Sequence, residues 1–94
     1  MALQDIAERI ARKLETRPFE GSLKFDCGDD GVIVLADGTA STADRATDCT
    51  LTISQDNLVK LLTGKLNPMV ALATGKLKLS GDMTVAMRLA KLIG

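Results

Sequence analysis

Apolar residues recur at Leu3, Ile6, Ile10 and Leu14, with Ala7 and Ala11 beside them. Asp5, Glu8, Arg9 and Arg12 fall on the other side. That spacing predicts an amphipathic helix with one apolar stripe, stopped by Pro18, which cannot continue it. The period then changes. Leu23, Phe25 and Cys27 alternate with Lys24 and Asp26, the rhythm of a half-buried strand. Gly28-Asp29-Asp30-Gly31 is a turn by composition. Val32-Ile33-Val34-Leu35 is apolar throughout and suits a central strand, so the two runs form a hairpin. Asp37–Thr47 has no apolar period and reads as a mostly exposed loop with room for a short edge strand. Alternation resumes over Asp48–Ile53, where Cys49, Leu51 and Ile53 share one face.

Ser54 offers a helix N-cap before Leu58, Leu61 and Leu62, and Gly64 offers the stop. Asn67-Pro68 opens a second short helix, with Asn as cap and Pro in the first turn, and Gly75 ends it. The tetrapeptide Thr-Gly-Lys-Leu thus occurs twice, at Thr63–Leu66 and Thr74–Leu77. The segments upstream of the two copies do not resemble each other, so this is one helix ending used twice rather than an internal repeat. After the second copy, Lys76-Leu77-Lys78-Leu79 alternates as a strand, Ser80-Gly81 is expected to break it, and Asp82 caps a last helix over Met83–Ile93.

That last helix is too apolar for one face. Thr84, Arg88 and Lys91 lie within about 60° of one another at ~100° per residue. The remaining arc, with Met83, Val85, Ala86, Met87, Leu89, Ala90, Leu92 and Ile93, covers roughly 220°, against the ~100° that packing on a sheet requires. A second apolar contact is therefore expected: a neighbouring helix, a second subunit or a ligand. Met69, Met83 and Met87 suit a wall that adapts to varied ligands, and equally suit ordinary core filling.

Composition removes several chemistries. The chain of 94 residues has no His, Trp or Tyr and only two Phe. Histidine-based acid–base catalysis, a Ser-His-Asp triad and histidine metal sites are excluded, and stacking platforms for nucleic acid lack material. Net charge is zero, which also argues against a nucleic-acid partner. Cys27 and Cys49 have no metal-ligand spacing and read as buried free thiols. No run approaches the ~18 apolar residues of a membrane span, and the first residues lack a basic-then-apolar signal, so an intracellular protein is expected. Charge is uneven, however. Residues 1–54 carry 6 Lys and Arg against 10 Asp and Glu, and residues 55–94 carry 6 against 2. The basic set, Lys60, Lys65, Lys76, Lys78, Arg88 and Lys91, fits either solvated outer faces or contact with an anionic membrane or phosphate.

The run LVKLLTGKLNPMVALATGKLKLSGDMTVAMRLAKLI, preceded by DCTLTIS, resembles the C-terminal half of the sterol carrier protein 2 family. The likeness is close over residues 48–93 and loose over Leu23–Gly38. It implies one domain over residues 1–94, of mixed α/β (α+β) class. A curved, mostly antiparallel sheet of about five strands would be covered on one face by helices enclosing an apolar tunnel. It also implies non-enzymatic binding and transfer of fatty acid, fatty acyl-CoA or sterol, with no catalytic residue and no cofactor. On this likeness the tunnel wall comprises Phe25, Val34 and Leu51 from the earlier strands and Leu62, Met69 and Leu72 from the short helices. Leu77 from the last strand and Met83, Ala86, Met87 and Ala90 from the last helix complete it.

The chain is shorter than eukaryotic members. It has Met69 where many have Gln and Leu72 where many have Phe, which leaves fewer polar and aromatic anchors. Peroxisomal members of the family end in a tripeptide such as Ala-Lys-Leu; here Ala90-Lys91-Leu92 is followed by Ile93-Gly94, so that signal is not terminal and a bacterial cytoplasmic protein is expected. Monomer or weak homodimer is the expected state. The rival from another class is a protein interaction or homodimerisation module accessory to a lipid-metabolising enzyme, using the same surplus apolar surface without a tunnel.

Overall fold

The computed structural model of the chain describes residues 2–17 and 19–93, without the side chains of residues 90–93. The element order is α1 (Leu3–Thr16), β1 (Leu23–Asp26), a short 3-10 turn (Gly28–Asp30), β2 (Val32–Ala36), β3 (Thr39–Ser41) and β4 (Cys49–Ile53). Then follow α2 (Gln55–Leu62), α3 (Pro68–Ala73), β5 (Leu77–Gly81) and α4 (Met83–Ile93). Among the described residues the strands form one sheet in the order β3-β2-β1-β4-β5. Its pairings are antiparallel except β1 with β4, which run parallel. The mixed class and the mostly antiparallel sheet of five strands agree with expectation. No described helix is long and apolar enough to cross a membrane.

Register decides which residues meet. Leu23 lies opposite Leu35 and Cys49, and Phe25 opposite Ile33 and Leu51. Leu51 in turn faces Leu79, and Ile53 faces Leu77. Side chains alternate along each strand, so all of these share one face. That face packs with Ile6, Ala7, Ile10 and Leu14 of α1, Leu58, Leu61 and Leu62 of α2, Ala71 of α3, and Val85 and Leu89 of α4 in one core. The stripe read from the first helix is therefore its buried face. The helix ends at Thr16; Pro18, read as its stop, lies outside the described residues.

The two Thr-Gly-Lys-Leu copies close their helices identically. Gly64 and Gly75 have φ of 78° and 77°, a left-handed turn that costs glycine least. In each copy the lysine amide reaches back to a helical carbonyl, Lys65 N to Lys60 O at 2.8 Å and Lys76 N to Ala71 O at 2.9 Å. The threonine hydroxyls donate to Val59 O and Val70 O, both at 2.8 Å. Ser54 and Asn67 cap the two helices as read, Ser54 Oγ accepting from Asn57 N and Asn67 Oδ1 from Met69 N.

The fold corrects the reading of two segments. Ser80 and Gly81 do not break the last strand but complete it, Gly81 pairing with Cys49. A Cβ on Gly81 would stand 2.5 Å from the Asp48 carbonyl oxygen, and its φ is 99°, so glycine is what lets the strands approach. Val34, expected in the tunnel wall, pairs with Lys24 and Ser41 and so lies on the opposite face of the sheet. It is buried there because the chain from β3 to β4 crosses that face. Lys24 Nζ holds Asp44 of this crossing segment at 2.6 Å, and Asp48 N donates to Ser22 Oγ at 2.8 Å.

Candidate functional site: an apolar groove at the sheet edge

Over the described residues the surplus apolar arc of α4 is only partly covered. Val85 and Leu89 enter the core, whereas Met83 and Met87 are 55% and 65% exposed. Asp82 caps the start of the helix, its Oδ1 accepting from Thr84 N at 2.8 Å. On α3, Ala71 is buried while Met69, Val70 and Leu72 are 74%, 53% and 40% exposed. A six-residue helix pinned by one small residue leaves its larger side chains outside.

Between these elements runs a half-open groove of about 150 Å³. Leu51, Leu77 and Leu79 of the sheet face it from β4 and β5, and Leu61 from α2. Pro68, Met69 and Leu72 form one wall, and Met83, Ala86, Met87 and Leu89 the other. Every one of these side chains is apolar. Among the described residues no titratable group lines the groove. Among the described residues no three His, Cys, Asp or Glu side chains cluster as metal ligands.

Seven of the expected wall residues meet here: Leu51, Met69, Leu72, Leu77, Met83, Ala86 and Met87. Phe25 does not reach the groove. It is fully buried on β1 beneath the helices, inward of the β4–β5 edge. Leu62 is buried at the end of α2 that meets α1, where its carbonyl accepts from Lys13 Nζ at 3.4 Å. Val34 lies on the other face, as described. The side chain of Ala90 is outside the described residues. Leu61, Pro68, Leu79 and Leu89 line the groove without having been expected. Strand alternation places Leu79 on the face of Leu77, and that signal was available; the choice of Leu61 over Leu62 depends on how α2 docks on the sheet. Among the described residues the space is a half-open groove.

The two thiols lie apart from it. Cys27 and Cys49 are free and buried. Burial, with the charges of Asp30 and Asp26, pushes the Cys27 thiol up to about 11. Burial, with Asp82 and Asp48, raises that of Cys49. Both are poor nucleophiles at neutral pH.

The SCP-2 sterol transfer family model matches residues 2–94. Over 64 residues, 65% of its length, the chain is 44% identical to sterol carrier protein 2 of Gallus gallus, and it covers 12% of that protein. The crystal structure of sterol carrier protein 2 like 2 from Aedes aegypti matches with a TM-score of 0.83 and 25% identity, covering 99% of this chain and 97% of that one. The solution structure of sterol carrier protein-2 from Aedes aegypti in complex with palmitate, a C16 fatty acid, matches with a TM-score of 0.81 and 25% identity, covering 100% and 97%. With a family match from the second residue to the last and a shared fold, the chain belongs to the SCP-2 sterol transfer family.

Proposed function

We propose that this protein binds and transfers lipid, holding an acyl chain in the groove between β5, α3 and α4, and performs no chemistry on it. The observation that carries the reading is the groove's wholly apolar wall, three of whose eleven lining residues are exposed methionines. The palmitate complex of the Aedes aegypti relative supports it. Burying a chain of sixteen carbons at ~0.8 kcal/mol per methylene releases roughly 12 kcal/mol gross. Immobilisation brings that toward micromolar or tighter binding.

The space of about 150 Å³ is below the ~300 Å³ at which ordinary ligand pockets begin. Uptake therefore requires Met69, Met83 and Met87 to change rotamer and α3 and α4 to part, which unbranched, exposed thioethers allow. Fatty acids and fatty acyl-CoA fit better than sterols. The head of an acyl lipid stays in water, whereas a buried sterol hydroxyl would meet no polar side chain in this wall. The free thiols support a reducing, cytoplasmic location.

The test is native mass spectrometry of protein purified from cells, followed by calorimetric titration of the delipidated protein with palmitate. One lipid per chain and a micromolar or lower Kd are expected. A ligand-free dimer that ignores palmitate would sink the carrier reading in favour of an interaction module.

A further inference from the structure

We propose that the ring of Phe25 is the inner stop of the groove and sets the longest acyl chain that the protein can bury. The proposal deepens the lipid-carrier reading and rests on it for the ligand. What it adds is a specificity-determining residue that stands just outside the groove.

Three observations carry it. First, the groove reaches inward along one row of the sheet. On the face that the helices cover, Leu77 lies opposite Ile53, Leu79 opposite Leu51, and Gly81 opposite Cys49. Of these rows only the middle one lines the groove from both β5 and β4; Ile53 and Cys49 do not reach it. The same row continues inward through Phe25 on β1 to Ile33 on β2. Exposure falls along it, from the half-buried Leu79 to Leu51 at 2% and Phe25 at 0%.

Second, the inner end and the rim differ in what they can yield. Phe25 is the largest fully buried side chain among the described residues, and a ring in a close-packed core has no free volume to swing into. Met69, Met83 and Met87 at the rim are exposed and unbranched, and can move aside. Parting α3 from α4 therefore widens the groove outward and leaves its inner end in place.

Third, only the methyl end of a fatty acid can meet that stop. Among the described residues the wall has no polar side chain, so a carboxylate led inward would lose its water and gain no partner. The head stays at the rim, and the chain end points along the row toward Phe25. The scale follows from geometry: C–C bonds of ~1.5 Å at ~111° advance about 1.25 Å per carbon, so one strand spacing of about 4.8 Å is worth about four carbons.

The experiment is calorimetric titration of the delipidated chain with saturated fatty acids from octanoate to stearate. Affinity of the parent should rise with chain length up to a break, past which added carbons stay in water and contribute nothing. In Phe25→Leu the break should move about two carbons longer, so that the acid just past the parent's break gains at least about tenfold over the acid at it. Phe25→Leu combined with Leu51→Phe conserves core volume, the change cores tolerate best. It moves the ring one strand toward the edge, and its break should fall about four carbons shorter than the parent's. Melting curves check folding; where Phe25→Leu alone does not fold, the swap carries the test. A parent whose affinity rises evenly to stearate has no stop, and that overturns the proposal. So do breaks that stay at the parent length in both variants, or a break that moves in Leu61→Ala and not in Phe25→Leu, which would put the stop on α2. These results leave the carrier reading standing. A parent that binds none of the acids overturns that reading, and the stop with it.

Discussion

α1 and α4 lie over the same face of one sheet and meet opposite fates. The apolar stripe of α1 is narrow, and Ile6, Ala7, Ile10 and Leu14 are all buried. The apolar arc of α4 is twice as wide as one sheet can cover; Val85 and Leu89 are buried, and Met83 and Met87 stand in water. The first helix is built as a lid for a core, the second as a lid with an outer edge left to be covered. Width of the apolar arc, more than mean hydropathy, separates them. The side chains differ in kind as well: branched Ile and Leu fix the packed edge, while the open edge uses Met, whose unbranched stem adapts.

The largest effect should come from attacking the packed side. Ile10→Ala leaves a cavity under α1 and should cost about 2–5 kcal/mol in urea unfolding. Met87→Ala, at a mostly exposed position, should cost within about 0.5 kcal/mol. Similar losses for the two would mean that α4 is packed as tightly as α1, and the comparison would fail.

A smaller effect is expected where the two sides join. Gly81 ends β5 just before α4 and needs its φ of 99° beside the Asp48 carbonyl. Gly81→Ala should destabilise by about 1–3 kcal/mol and weaken palmitate binding, because the start of α4 shifts. Unchanged melting would show that the β4–β5 edge yields more easily than this geometry requires.

Met87→Trp sharpens the contrast further. In a filled core an indole over-packs at a cost of about 1–3 kcal/mol. In a half-open groove it lies over apolar wall that the lipid would have used. Palmitate affinity should therefore fall about tenfold, or ~1.4 kcal/mol, with stability held or raised. The protein must be delipidated first, since bound lipid stabilises the parent by mass action. The new Trp would report added lipid by fluorescence in a chain that otherwise has none.

Much of this contrast was legible in the sequence, because local period and capping are local physics. The elements, both helix endings at Gly64 and Gly75, and the surplus arc of α4 follow from spacing and turn chemistry alone. Facing was less legible. Val32–Leu35 is apolar at every position, so no alternation tells Val34 from its neighbours; pairing with Lys24 and the crossing segment decide that it is buried on the far face. Leu61 and Leu62 are equally apolar neighbours about 100° apart on α2, and the docking of that helix on the sheet brings Leu61 and not Leu62 to the groove. Ser80-Gly81 looks like a break because the glycine that permits close strand approach has the same composition as one that ends a strand.

The smallest effect tests how closed the packed side is, through its thiols. Cys27 is buried, and its thiol is pushed up to about 11 by burial and by Asp30 and Asp26. An unfolded chain ionises the same thiol near its ordinary value of 9.0. The neutral thiol is thus favoured by folding, and its contribution is fully present below pH 9. It is lost as pH rises from about 9 through about 11, because there the unfolded chain releases a proton that the folded chain keeps. Stability should fall across this window, and Cys27→Ala should fall less steeply. Only the difference in slope between the two proteins counts. At pH 8 only about one thiol in a thousand is ionised at a pKa of 11. Native labelling of Cys27 by a thiol reagent should therefore be slow, and fast once the chain is unfolded in denaturant. Cys49, raised by its own burial and by Asp82 and Asp48, should follow the same order of protection. Equal pH slopes for the parent and Cys27→Ala, with rapid native labelling, would show that water reaches β1, and the packed side would lose its claim to be closed.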